Sequence, residues 1–210
     1  MTRHSLLCRY LWTIGLLLMT ALASADPPPH RDWVAAAFSR LAVSVPDRAP
    51  ERAQLKAEHS RRFVAAIAKV SASAPLPPRQ YASLLLALGG SESNFDTDVV
   101  DGRCPKHRCD PKKVKGEIIH QAKGAFQNHA VRFNTDLWPI ANGNPEAQVE
   151  MADRALRRSL SRCAPFAPFP AHVFRAYAGG SCSFELKDEQ RRVGLYLRMM
   201  NTPTPSGDAS

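Results

Sequence analysis

The chain has 210 residues, 28 Lys+Arg against 19 Asp+Glu for a formal net charge of +9, and 44% apolar residues. That apolar share excludes a wholly disordered chain, and the charged share of 22% is that of an ordinary globular protein, so one folded domain of roughly 100–200 residues is expected. Two features then need an account: the basic excess and an odd number of cysteines, five.

The N-terminus accounts for the cysteines. Arg3, His4 and Arg9 form a positive start, Leu11 to Met19 with Ala21 to Ala23 form an apolar stretch, and Ala23-Ser24-Ala25 is a small-x-small cleavage pattern before Asp26. Residues 1–25 read as a signal peptide, because the apolar stretch falls short of the ~20 residues a bilayer-spanning helix needs. Its removal takes Cys8, Arg3 and Arg9 away, leaving four cysteines and a net charge of +7. An exported, periplasmic or extracellular protein with an anionic partner is expected. The basic residues are scattered without interleaved aromatics, which argues against nucleic acid. No stable membrane insertion is expected once the signal is gone.

After a short proline-rich leader, Trp33, Ala37 and Leu41 recur at helical spacing. Asp47 to Glu51 punctuates the chain, and a second helix then carries Phe63, Val64, Ile67 and Val70 on one face and Arg61, Arg62 and Lys69 elsewhere. Ser71 to Pro78 is a break, so residues 26–78 read as an N-terminal helical extension. The next helix has Tyr81, Leu84, Leu85 and Leu88 on one face and Gly89-Gly90 as its stop. Residues 96–116 read as a polar loop. Asn144-Pro145-Glu146 is a helix start, with a capping side chain, Pro at the first position and an early acid, ahead of Val149, Ala152, Leu156 and Leu160. A short helix from Ala171 to Tyr177 and a last one from Leu186 to Met200, with Val193, Tyr196, Leu197 and Met200 on one face, complete a main domain over residues 79–201. Residues 202–210 read as a flexible tail. No alternating strand run stands out, so the expected class is all-α.

Glu92, in Gly89-Gly90-Ser91-Glu92-Ser93-Asn94-Phe95, is the residue that points to chemistry. Placed just past the end of an apolar helix, it would sit beside unpaired carbonyls and partly buried, a setting that favours the protonated carboxyl a general acid needs. Two downstream segments add to it: Ala122-Lys123-Gly124-Ala125-Phe126-Gln127, and Ala176-Tyr177-Ala178-Gly179-Gly180.

In this order and spacing the three segments resemble the lysozyme-like lytic transglycosylase family, the SLT type related to goose-type lysozyme, whose motifs are E-S-x-F at a helix end, an A-x-G-L-M-Q-like segment and an A-Y-N-A-G-like segment. The resemblance implies a lysozyme-like helical fold and cleavage of the bond between N-acetylmuramic acid and N-acetylglucosamine in peptidoglycan, with 1,6-anhydro products. Glu92 would then be the single catalytic acid and later the base. Ser93 would hold Glu92 and a nearby substrate group, Gln127 would bind the glycan, Tyr177 would orient the carboxyl or its sugar, and Phe95 would pack beneath the catalytic loop. Ala125-Phe126 stands where the family has Leu-Met, and Ala178 stands where it has Asn, so a substrate-binding amide is missing unless Asn128 or Ser181 supplies it. The loop from Asp96 to Lys123 is longer than usual and is expected to cover one end of the groove.

A lysozyme-type hydrolase is the first alternative, with Asp96, Asp98 or Asp101 as the second carboxyl that ordinary glycoside hydrolysis uses. A catalytically weak wall-binding factor of the same fold is the second. Of the three possible cysteine pairings, Cys104 with Cys109 and Cys163 with Cys182 is favoured. The rival, a metal site with His107 and His120, matches no familiar zinc spacing, so neither metal nor cofactor is expected. His129 and His172 read as ordinary polar residues. Lys112, Lys113, Lys115 and Lys123 are candidate wall contacts on a monomer whose partner is the peptidoglycan glycan strand.

Overall fold

The computed structural model describes residues 28–42, 50–105, 109–163 and 169–205. The expected signal peptide, His107 and the last five residues lie outside them. The described residues form the helices α1 (Pro28–Ala42), α2 (Pro50–Ala72), α3 (Pro78–Glu92), α4 (Thr97–Val100), α5 (Pro145–Cys163), α6 (Ala171–Gly179) and α7 (Glu189–Met200). Between α4 and α5 lie two antiparallel hairpins, β1 (Pro111–Val114) with β2 (Glu117–His120), and β3 (Ala122–Lys123) with β4 (Asn128–His129). The fold is thus helix-dominated. The four-residue α4 and the hairpins replace part of the predicted polar loop, and they escape periodicity because they are so short and β1 is exposed along its whole length.

Local chemistry places the helix starts. Four of the helices begin on proline, Pro28, Pro50, Pro78 and Pro145, where the fixed φ suits the first turn and the missing N–H would have no partner in any case. Asn144 caps α5 by accepting from the Ala147 amide at 3.1 Å.

The periodicity of α3 suggests one apolar face, but every residue from Tyr81 to Ser91 is buried. Helices α1, α2, α5 and α7 all pack on it, which makes it the central rod of the core. The two N-terminal helices are therefore not an appended extension. Trp33, Phe38, Leu41, Phe63 and Ile67 share one buried cluster with Leu84, Phe95, Phe126, Val149 and Phe174.

Gly89 and Gly90 lie inside α3 and do not stop it. A Cβ on Gly89 would lie 2.2 Å from Phe95 Cζ, and one on Gly90 would lie 3.1 Å from Leu41 Cδ2, so both glycines serve close packing. The predicted flexible tail is also pinned at its start: Thr202 is buried, and its carbonyl accepts from Trp33 Nε1 at 2.9 Å and from Arg79 Nη2 at 2.6 Å. On α7 the buried face is Arg192, Tyr196 and Met199, whereas Leu197 is 50% exposed.

Candidate active site

Glu92 is the last residue of α3. The amides of Ser93 and Asn94 both donate to Gly89 O, at 3.1 and 3.0 Å, and Asn94 and Phe95 then take left-handed φ values of 56° and 53°. Two successive left-handed residues are costly outside glycine, and here they turn the chain so that the Phe95 ring swings back under Gly89. The ring is held by Phe38, Phe63 and Phe126, with centroids at 4.7, 5.0 and 5.7 Å. Phe95 packs beneath the turn that carries Glu92.

The second segment is fixed from below by a residue that the sequence reading passed over. Gln148 of α5 is fully buried: its Oε1 accepts from Ala125 N at 2.8 Å, and its Nε2 donates to Val100 O at 2.8 Å and Ala141 O at 2.7 Å. Gly124 has φ +70° and would drive a Cβ to within 2.2 Å of Gln148 Cδ, so glycine is required there twice over. Ser93 ties this segment to the end of α3, since its buried hydroxyl donates to Ala125 O at 2.8 Å and accepts from Phe95 N at 3.1 Å. That hydroxyl joins the two segments, so Ser93 acts as a staple at the edge of the cleft that it lines.

The third segment closes the arrangement. The Tyr177 hydroxyl lies 3.1 Å from Phe126 O and 3.2 Å from Asn128 Oδ1 and donates to them. Asn128 is buried, with its Nδ2 donating to Gln148 O at 3.1 Å, and Ser181 pairs with Ser183 at 3.1 Å. Neither is among the residues that line the cleft beside Ala178. Burial raises the Tyr177 pKa and the nearby Glu92 carboxylate raises it further, against the opposing charge of Arg192, so the phenol stays neutral.

These segments meet on one open cleft of about 580 Å³, lined among others by Glu92, Ser93, Gln127, Tyr177 and Ala178. Gln127 takes φ +49° and donates through Nε2 to Gly124 O at 3.0 Å. Asp110 and His129 line the same cleft, 3.8 Å apart, brought there by the bases of the two hairpins. The three acids weighed as hydrolase partners are used elsewhere. Asp96 caps α4, Asp98 pairs with Arg52 and Arg103, and Asp101 pairs with Arg103 and His59.

The largest departure concerns the surroundings of Glu92. Instead of facing only unpaired carbonyls at the helix end, Glu92 Oε1 accepts from Arg192 Nη1 at 2.6 Å, and Arg192 Nε donates to Asp188 Oδ1 at 3.0 Å. Arg192 is 6% exposed. Burial opposes its charge, and the two carboxylates more than offset that, holding its pKa above the ordinary arginine value. Its neighbour Arg191 donates to Ser91 O at 2.8 Å and so caps the negative end of α3. The available signal was a charge at a core-facing position of the last helix, four residues before Tyr196 and four after Asp188.

Cys104 is bonded to Cys109, beside the cleft wall, and Cys163 to Cys182, linking the end of α5 to the segment after α6. No helix among the described residues is long and apolar enough to cross a membrane. Comparison with known proteins finds no matching family model, no matching curated protein and no matching solved structure. The functional reading therefore stands on the cleft itself.

Proposed function

We propose that this protein is an exported peptidoglycan lytic transglycosylase, with Glu92 as its catalytic acid and then base. The observation that carries the reading is the convergence of Glu92, Gln127 and Tyr177, drawn from three distant segments, on one cleft with Phe95 beneath it. A volume of about 580 Å³ suits a few sugar rings, and an open groove suits a polymer. The two disulfides agree with an oxidising compartment. The net positive charge would concentrate the protein at an anionic wall.

The ion pair sets a condition on this chemistry. Glu92 accepts from Arg192, so to act as the acid it must leave that contact as the glycan binds and take up a proton from water, which it then passes to the leaving oxygen. Asp188 is placed to keep Arg192 neutralised during that exchange. Glu92, as a carboxylate, would then take the proton of the sugar's own 6-hydroxyl as it closes on the anomeric carbon, giving the anhydro product without water.

The test is product analysis of digested sacculi by mass spectrometry. Anhydro-muropeptides support the proposal, and Glu92→Gln should abolish turnover while leaving binding largely intact. Reducing-end products would replace it with a hydrolase, for which Asp110 is the carboxylate in the cleft. Binding without cleavage would favour the wall-binding factor, a second reading that the Glu92–Arg192 pair and Ala178 specifically favour.

A further inference from the structure

The β1/β2 hairpin has no role in the cleft chemistry, yet its composition is unlike that of the rest of the surface. Every residue from Pro111 to Ile119 is exposed. Val114, Ile118 and Ile119 stand at 36%, 48% and 48% exposure, whereas the other exposed large apolar side chains, Val131, Ile140, Phe184 and Leu197, are scattered singly. Isolated exposed apolar residues are ordinary, and a concentration of them on one projecting element marks an interaction surface.

The register shows how they are arranged. Lys112 is paired with Ile119, Lys113 with Ile118 and Val114 with Glu117. Ile118 and Ile119 are successive residues of one strand and point to opposite faces, so each face carries one isoleucine opposite one lysine. Lys115 and Gly116 form the turn with φ values of 49° and 93°, as a two-residue type I′ loop requires. Lys112, Lys113 and Lys115 have no acidic partner among the described residues.

The base of the hairpin is rigid. Gln121 N donates to Asp110 O and Ala122 N to Cys109 O, both at 3.1 Å, which continues the ladder into residues that line the cleft, and the Cys104–Cys109 bond pins it covalently. The hairpin is a fixed arm springing from the cleft wall.

We propose that this arm docks on the surface of an anionic lipid bilayer and so holds the cleft beside the membrane. A soluble polyanion would engage the lysines and leave three exposed apolar side chains unexplained. A protein partner would bury one face and leave the isoleucine of the other in water. An arm dipped among lipid headgroups uses both faces at once, with Val114, Ile118 and Ile119 at the acyl boundary and the lysines reaching the lipid phosphates along their own stems. The inference rests on the hairpin and is independent of the glycan reading.

The test uses the protein recovered from the exporting host, floated with vesicles of phosphatidylglycerol and phosphatidylcholine and with vesicles of phosphatidylcholine alone. The wild type should float with the anionic vesicles and not with the neutral ones. I118S/I119S should weaken binding at least tenfold. K112Q/K113Q/K115Q should weaken it by about fivefold per lysine, the equivalent of ~1 kcal/mol each. All five side chains are exposed, so circular dichroism of both variants should match the wild type. Absence of flotation overturns the proposal, as does flotation that I118S/I119S leaves unchanged. Binding to sacculi but not vesicles, lost only with the lysines, would make the partner a polyanion. A concentration-dependent dimer abolished by I118S/I119S, without vesicle binding, would make it a second copy of the chain.

Discussion

Replacing Gly89 by alanine sets two effects of opposite sign against each other. In the interior of a helix, glycine to alanine is worth about 1 kcal/mol in favour of alanine. At this position the new methyl would lie 2.2 Å from Phe95 Cζ and 2.7 Å from both Cε atoms. Ordinary carbon contacts are about 3.5–4.0 Å, so the ring or the helix must move by more than ~1 Å. The ring cannot swing freely, because Phe38, Phe63 and Phe126 surround it at centroid distances of 4.7, 5.0 and 5.7 Å. Overpacking of an enclosed site costs ~1–3 kcal/mol, and with the left-handed backbone of Asn94 and Phe95 also displaced, the clash should prevail. A net loss of about 2 kcal/mol is expected, read as a urea midpoint lower by ~1 M at unchanged slope. Phe95→Ala alone should cost about 3–5 kcal/mol. In the double variant the methyl introduced at position 89 gains the space the ring vacates, so the two losses should fall short of additivity by ~1 kcal/mol or more. A Gly89→Ala protein more stable than the wild type would refute the packing argument and return Gly89 to a purely local role.

Two further predictions test the supports of the cleft. Burial pushes the Asp188 carboxyl up, and its bonds to Arg192 and Arg191 more than reverse this, so its pKa lies below the usual aspartate value in the folded chain. The stability it contributes is therefore fully present above its unfolded value of about 4 and is lost as pH falls through the lower, folded value. Asp188→Asn should flatten the acid limb of a midpoint-versus-pH curve below pH ~4, and an unchanged limb would count against the coupling. Gln148→Leu would leave the buried Ala125 N without its acceptor, whereas Val100 O and Ala141 O would still accept from Gly143 N and Asn144 N. At ~1–3 kcal/mol for one buried unpaired amide, a loss of about 2 kcal/mol is expected in denaturant titration, with the Ala125 amide the first to lose hydrogen-exchange protection.

Much of this protein is local information. The apolar spacing of Trp33, Ala37 and Leu41, the break before Pro78, and the Asn144-Pro145 start of α5 were legible because helix periodicity and capping act within a few residues. The hairpins were not legible, since strands of four and two residues are too short for alternation to register, and β1/β2 buries neither face. Glu92, Gln127 and Tyr177 could be nominated one by one as a site, and the cleft does gather them. Ser93 shows the limit of that nomination, because a hydroxyl's partner decides whether it is a staple or a contact, and Ala125 O lies 32 residues away.

By itself the sequence determined the longer helices, the Asn144-Pro145 start of α5, and which three short stretches to nominate as a site. Tertiary structure decided the rest, because burial and pairing belong to neighbours that are distant along the chain. It made α3 a central rod and Gly89 a seat for Phe95. It spent the acids after Glu92 on Arg52, Arg103 and His59. It also set Arg192, 100 residues on, against the carboxylate of Glu92. A charge's environment is a sum over everything packed around it, and in this cleft that sum is written mainly by the last helix.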